Sequence, residues 1–148
     1  MKIAVGSDHA AFEHRKRIIE ALQKDGHEVH EFGAPSIDSY DYPDAAKAVA
    51  DDVTGGRAEQ GGLLCGTGIG VCSSANKVHG IRAALAHDEF TATMARRHND
   101  ANVLCLGGRV LTPEQAIDLA RVYLDTPFEG GRHQRRIDKI TKLDDERC

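Results

Sequence analysis

The chain has 148 residues, 41% hydrophobic and 28% charged with no Trp, a balance that fits one well-filled soluble core and excludes a disordered or fibrous polymer. Nineteen Lys and Arg against 23 Asp and Glu leave a net charge of −4. That excludes a nucleic-acid binder resting on a general basic face, but not a protein with a small anionic ligand. No apolar run approaches the roughly 20 residues of a bilayer span, so no membrane partner is expected.

The first apolar run, Lys2 to Gly6, reads as a strand, followed by Ser7 and Asp8, either of which can cap a helix carrying Phe12, Ile18, Ile19 and Leu22 as far as Gly26. His27 to Phe32 is a modest strand, and a turn-rich loop from Gly33 to Tyr42 leads to Pro43, which opens a helix with Ala46, Val49, Ala50 and Val53. After Gly55-Gly56, the strand Gly62 to Cys65 runs straight into Gly66-Thr67-Gly68-Ile69-Gly70 and a short helix to about Lys77. Ile81 to Ala86 is the fourth strand, Asp88 to Arg97 a helix, and Asn102 to Leu106 the fifth strand. Thr112, Pro113 and Gln115 form a capping box at the start of the next helix, and Gly130-Gly131 precedes a last helix from Arg132 to about Asp145. This alternation predicts an α/β fold: a single-domain, Rossmann-like three-layer sandwich over residues 1–148, with a five-stranded parallel sheet and a C-terminal helix.

In such a sheet ligands bind beyond the carboxyl ends of the strands. There the sequence places Ser7, Asp8 and His9, then Cys65 and its glycine loop, then His87 and Asp88, then Gly107, Gly108 and Arg109. The glycine loop lets backbone amides approach an anion where a helix begins, or it is only a tight strand-to-helix turn. Val71 stands where the dinucleotide fingerprint needs its third glycine, and no Gly-Lys-Ser/Thr closes a Walker-type loop. Cys65 is either a small buried hydrophobe or a thiol whose ionised form is favoured by the electropositive helix start, able to take a proton from carbon or attack an electrophile.

Cys72 and Cys105 read as buried hydrophobes and Cys148 as an exposed terminus. None of the four cysteines forms a CxxC, and with no leader-like start the chain reads as cytoplasmic, with reduced thiols. The eight histidines read as scattered surface groups, and His27 and His30, at odd separation in a strand, face opposite sides. No metal site and no cofactor are expected. His98 lies at a helix C-terminus, where Asn99 can be a left-handed cap. Arg132 and Arg136 share a helix face and can grip a phosphate or be merely solvated, with Arg135 and Lys139 as a neighbouring stripe.

Taken together, Gly6-Ser7-Asp8-His9, Asp41-Tyr42-Pro43, Cys65 to Gly70, Ala75-Asn76-Lys77, Gly80 to Ala83, Arg97 to Asp100, Gly107-Gly108-Arg109 and Gly130 to Arg136 resemble the type B ribose-5-phosphate isomerases. That family is grouped with the galactose-6-phosphate isomerase subunits. The resemblance implies metal-independent interconversion of D-ribose 5-phosphate and D-ribulose 5-phosphate through a cis-enediolate. It makes Cys65 the base, assisted by Thr67, and gives the amides of Gly66, Thr67, Gly68, Ile69 and Gly70 to the enediolate oxygen. His98 opens the furanose ring, Asp8 and Asn99 hold hydroxyls, Tyr42 lines the site, and His9, Arg109, Arg132 and Arg136 bind phosphate.

It further implies a homodimer, in some members a tetramer, with the helix at about 132–145 at the subunit interface. His98, Asn99 and Arg109 would come from the partner of the chain that gives Cys65. One branch of the family has Ser in place of the Cys and Glu just after the loop; Cys65 and Val71 put this chain with the Cys pattern. Cys65, His98, Arg132 and Arg136 in one chain favour a homomer over the two unlike subunits of the galactose-6-phosphate branch. A hexose 6-phosphate such as allose or galactose 6-phosphate is the alternative substrate, and a non-catalytic sugar-phosphate sensor is the alternative class.

Overall fold

Short apolar strands with both faces withdrawn from water need helices above and below them. In the computed structural model, which describes residues 1–147, the strands are β1 (Lys2–Ser7), β2 (Glu28–Gly33), β3 (Gln60–Cys65), β4 (Ala83–Leu85) and β5 (Val103–Gly107). They form one parallel sheet in the order β2-β1-β3-β5-β4. The helices are α1 (Phe12–Lys24), α2 (Tyr42–Thr54), α3 (Ile69–Ala75), α4 (Glu89–Arg97), α5 (Pro113–Asp125) and α6 (Arg132–Glu146). Alternate residues of each strand serve opposite faces. Ile3, Val5, Leu64 and Leu104 pack with Ile18, Leu22 and Tyr123 of α1 and α5, while Ala4, Leu63, Val103 and Cys105 pack with Val49 and Val71 of α2 and α3.

The expected α/β class and element order are present, with shifts at element ends. Asp8 caps a 3₁₀ turn, His9–Ala11, before α1 begins. The fourth strand is only Ala83–Leu85, because the Arg82 amide is taken by the Asn102 side chain at 2.8 Å rather than by a strand neighbour. The Thr112 capping box is present, and Asp88 forms a second one on α4. Cys148 lies outside the described residues.

Strand β1 lies between β2 and β3, so the chain leaves β1 toward one side and returns on the other. The crevice between the carboxyl ends of β1 and β3 is the topological switch point. Arg15, 2% exposed on the apolar face of α1, fixes one wall of it. Its guanidinium donates to Ser7 Oγ (3.1 Å), the Ala34 carbonyl (2.6 Å) and Glu31 (3.0 Å), tying the ends of β1 and β2 together.

Helix α6 runs along the opposite, amino edge of the sheet. The Glu129 amide donates to the Arg97 carbonyl at 3.0 Å, and near the helix's far end the Gly80 amide donates to Asp144 at 2.8 Å. It buries His133 and Ile137 but leaves Ile140 and Leu143 exposed. A cleft of about 500 Å³, lined by Arg82, Asn99, Ile140 and Leu143 among others, opens at this amino edge and not at Cys65.

Candidate active site

Along the carboxyl edge Asp8, His9, Tyr42, the Cys65 to Gly70 loop and Arg109 converge. The Asp8 carboxylate, nearly buried, accepts from the Ala10 amide at 3.0 Å, which fixes it at the end of β1. His9 Nδ1 lies 3.0 Å from the Tyr40 amide, which donates to it when the ring proton is on Nε2, and 3.3 Å from the Tyr40 carbonyl. Cys65 ends β3, 4% exposed, and the Gly68 amide donates to its sulfur at 3.2 Å. A donor aimed at the sulfur is what a thiolate needs. Thr67 is exposed, its hydroxyl accepting from the Ile69 amide at 3.2 Å.

The loop itself is held by close approach. Gly68 has φ +82°, and a methyl there would lie 2.6 Å from Leu85 Cδ1 and 2.9 Å from the Leu106 backbone. The Tyr42 ring covers Gly70, where a methyl would meet Cε1 at 2.6 Å. Arg109 donates its amide to the Gly66 carbonyl at 2.8 Å, and its guanidinium lies over Gly66, with Nη1 3.0 Å from where a methyl would sit. Arg109 therefore lies on its own chain's Cys65 loop, which differs from its expected supply by a partner. Among the described residues the amides of Gly66, Thr67 and Gly70 donate to no protein acceptor.

His98, Asn99, Arg132 and Arg136 lie elsewhere. Helix α4 runs back from the carboxyl edge, so His98 at its end and Asn99 after it sit beside the starts of β4 and β5, where Arg82 Nε donates to the Asn99 carbonyl at 3.2 Å. The four steps of β5 alone span about 13 Å. Within one chain, His98 cannot reach Cys65. Arg132 and Arg136 are on the same side as His98, because the His133 ring between them stacks on His98 at 4.1 Å between centroids.

Several expectations are corrected. The left-handed residue after α4 is Asp100 (φ 45°), not Asn99, its carboxylate paired with Arg96 at 2.8 Å. The histidines are not uniformly scattered surface groups: His30 bonds Asp52 at 2.7 Å, and His98, Glu129 and His133 cluster at the head of α6. Cys72 is not an inert hydrophobe. It is half-buried, donates to the Ala83 carbonyl at 3.5 Å, and a hydrogen bond from Cys105 lowers its pKa to about 7. Cys105 is the buried hydrophobe expected, burial pushing its thiol well up. Asp88 is a cap, accepting from the Thr91 amide at 2.8 Å. Arg15 and His133 were not singled out from sequence; each is a polar residue on the apolar stripe of its helix (15, 18, 19, 22 and 133, 137), and that was the available signal.

A family model described as Ribose/Galactose Isomerase matches residues 3–140. A putative sugar phosphate isomerase of Bacillus subtilis is 46% identical over 147 residues, covering 99% of each chain. A D-erythrulose-4-phosphate isomerase of Pectobacterium atrosepticum is 43% identical over 141 residues, 95% of this chain and 93% of that one. The structure of Clostridium thermocellum ribose-5-phosphate isomerase B aligns with TM-score 0.97 at 43% identity over 99% of both chains. That of the Mycoplasma genitalium enzyme with bound ribulose-5-phosphate aligns with TM-score 0.94 at 45% identity over 99% of this chain and 97% of that one. The matched span contains both edges just described, from Asp8 to Arg136, and the chain belongs to the ribose/galactose isomerase family.

Proposed function

We propose that the protein is a metal-independent, cytoplasmic ribose-5-phosphate isomerase, one domain per subunit over residues 1–148, acting as a homodimer. The observation that carries this reading is the Cys65 sulfur held by the Gly68 amide at 3.2 Å beneath a loop whose Gly66, Thr67 and Gly70 amides are unengaged among the described residues. Isomerisation needs a base at a carbon acid and donors where negative charge develops. The Cys65 thiolate takes the C2 proton of open-chain ribose 5-phosphate, electrons move into the C1 carbonyl, and the enediolate oxygen meets the amides of Gly66 to Gly70. A proton passes from O2 to O1, and the same sulfur returns its proton to C1, giving ribulose 5-phosphate. Thr67 and Asp8 hold sugar oxygens, and Tyr42 closes the side of the loop.

The separation of His98 from Cys65 supports a shared site. His98 of the partner subunit moves a proton from the anomeric hydroxyl to the ring oxygen, opening the furanose, and Asn99 of the partner subunit holds a hydroxyl. Phosphate takes His9 and Arg109 from one subunit and, since they lie beside His98, Arg132 and Arg136 from the other. Binding energy from the phosphate then orients the reacting carbons. Helix α6, with Ile140 and Leu143 exposed, packs at the subunit interface.

Product NMR in deuterated water, with and without chelator, tests this. Ribulose 5-phosphate carrying solvent deuterium in both conditions is expected, and a folded protein giving no product would sink the reading. The tetrose-phosphate relative motivates a second reading in which sugar length differs, including a hexose 6-phosphate. A substrate panel of four- to six-carbon phosphates decides it by kcat/KM. Tight binding in calorimetry with no product from any sugar would leave a sensor.

A further inference from the structure

We propose that His98, Glu129 and His133 form a binding site for a single divalent cation of the zinc class at the junction of α4 and α6. His98 Nε2 lies 3.7 Å from one Glu129 carboxylate oxygen, and His133 Nε2 lies 3.6 Å from the other. One donor atom from each residue falls within 4.8 Å of the others. Two imidazoles and a carboxylate, with a fourth position left to water, are a set that zinc takes in open sites.

His133 gives independent support. It is 4% exposed, and its Nε2 is buried with no hydrogen-bond partner among the described residues. A buried ring nitrogen left unpaired is a disfavoured arrangement that a cation would relieve.

The two rings stack with 14° between planes, so their lone pairs run side by side instead of converging. Loading therefore swings the half-exposed His98 ring out of the stack, while buried His133 stays in place. The donors close to the about 3.4 Å spacing of a tetrahedron with bonds near 2.1 Å. The Arg132 and Arg136 charges weaken the site relative to a closed structural one, which makes the cation exchangeable. Only the consequence rests on the isomerase reading: a cation on His98 removes the group assigned to ring opening and inhibits.

Metal-free full-length protein titrated with Co²⁺ in sugar-free buffer tests binding through the visible absorption of tetrahedral cobalt. One Co²⁺ per chain, displaced by Zn²⁺, is expected. His98→Asn and Glu129→Gln, both at accessible positions, should each weaken binding by at least the roughly 10–100-fold that loss of an outer-shell partner alone causes. His79→Asn, which removes the His79 pairing with Asp144 and Asp145, should leave binding unchanged. Absence of tetrahedral absorption, indifference to both ligand variants, or loss of binding in His79→Asn would overturn the site. Protein that binds Co²⁺ but turns over no sugar phosphate overturns the isomerase reading and keeps the site. The reverse result overturns the site alone.

Discussion

The two edges of the sheet are built from different materials. At the carboxyl edge, apart from the Arg15 staple between β1 and β2, the structure is made by backbone: Gly68 in a left-handed turn, Gly107 against Thr67, and amides facing Cys65 or open space. At the amino edge it is made by charged side chains. Asp52 holds His30 at 2.7 Å and Arg57 at 2.9 Å, Asp100 holds Arg96 and Arg82, and the buried Tyr123 hydroxyl lies 2.6 Å from Gln60. Side-chain staples pin the strand starts, and this leaves the opposite edge free to expose amides for chemistry. Yet the amino edge carries His98 and the arginine pair as well, so on the proposed reading one chain holds two halves of a site facing away from each other.

The largest effect tests that division. Cys65→Ala should lower kcat by about 10²–10⁴, the range for loss of a general base, with substrate binding largely retained. Cys65→Ala and His98→Asn chains, each nearly inactive alone, should regain about one quarter of wild-type activity when refolded together in equal amounts. Half of the dimers are then mixed, and each mixed dimer has one intact site. A mixture as inactive as its parts would show that Cys65 and His98 do not meet across a dimer.

How far the sequence shows these edges depends on what each is made of. The Thr112 and Asp88 caps, the αβ alternation and the residues after β1, β3 and β5 follow from local rules, since turn chemistry and periodicity are written in neighbouring residues. Cys65 beside its loop is local too. The stacking of His98 on His133 joins positions 35 residues apart in sequence (133 − 98), and no spacing rule brings them together. Arg15 is similar: its place on an apolar stripe marks it as unusual, but its partners Ser7, Glu31 and Ala34 come from two other segments. Strand β4 read too long because Ile81 and Arg82 have strand-like neighbours, and only the distant Asn102 side chain ends the ladder.

A second prediction breaks the carboxyl edge alone. Gly68→Ala puts a side chain at φ +82° and within 2.9 Å of backbone, combining a left-handed penalty of about 1–2 kcal/mol with overpacking of about 1–3 kcal/mol. Urea unfolding should show that loss, and kcat should fall more than KM rises because the Gly68 amide leaves the Cys65 sulfur. Unchanged turnover would mean that the amide does not serve the thiolate.

The amino-edge half is expected to contribute binding. Arg132→Ala should raise KM for ribose 5-phosphate by about 10–100-fold, equivalent to losing hydrogen bonds to a charged group at about 1.5–3 kcal/mol. Turnover of unphosphorylated ribose should be untouched. An equal loss for both sugars would remove Arg132 from the phosphate site and leave it a solvated surface charge.

The smallest effect concerns the staples. Burial pushes the Asp52 carboxyl up, but the hydrogen bonds and charges of His30 and Arg57 together lower its pKa below the usual 3.8, and the Asp52 bond is the main cause raising His30 above 6.5. A depressed carboxylate stabilises the fold above pH 3.8 and loses that contribution as pH falls below it; a raised histidine stabilises below pH 6.5 and loses its contribution as pH climbs through the folded value. Stability should therefore be greatest between about pH 4 and 6.5 where these two groups govern it. Since His30 is partly exposed, His30→Gln should remove only about 1 kcal/mol at pH 6 and less at pH 8. Melting curves at the two pH values check this, and equal losses at both would mean that the imidazole is held by packing and not by its charge. Activity should follow neither trend, because His30 and Asp52 touch none of the groups around Cys65.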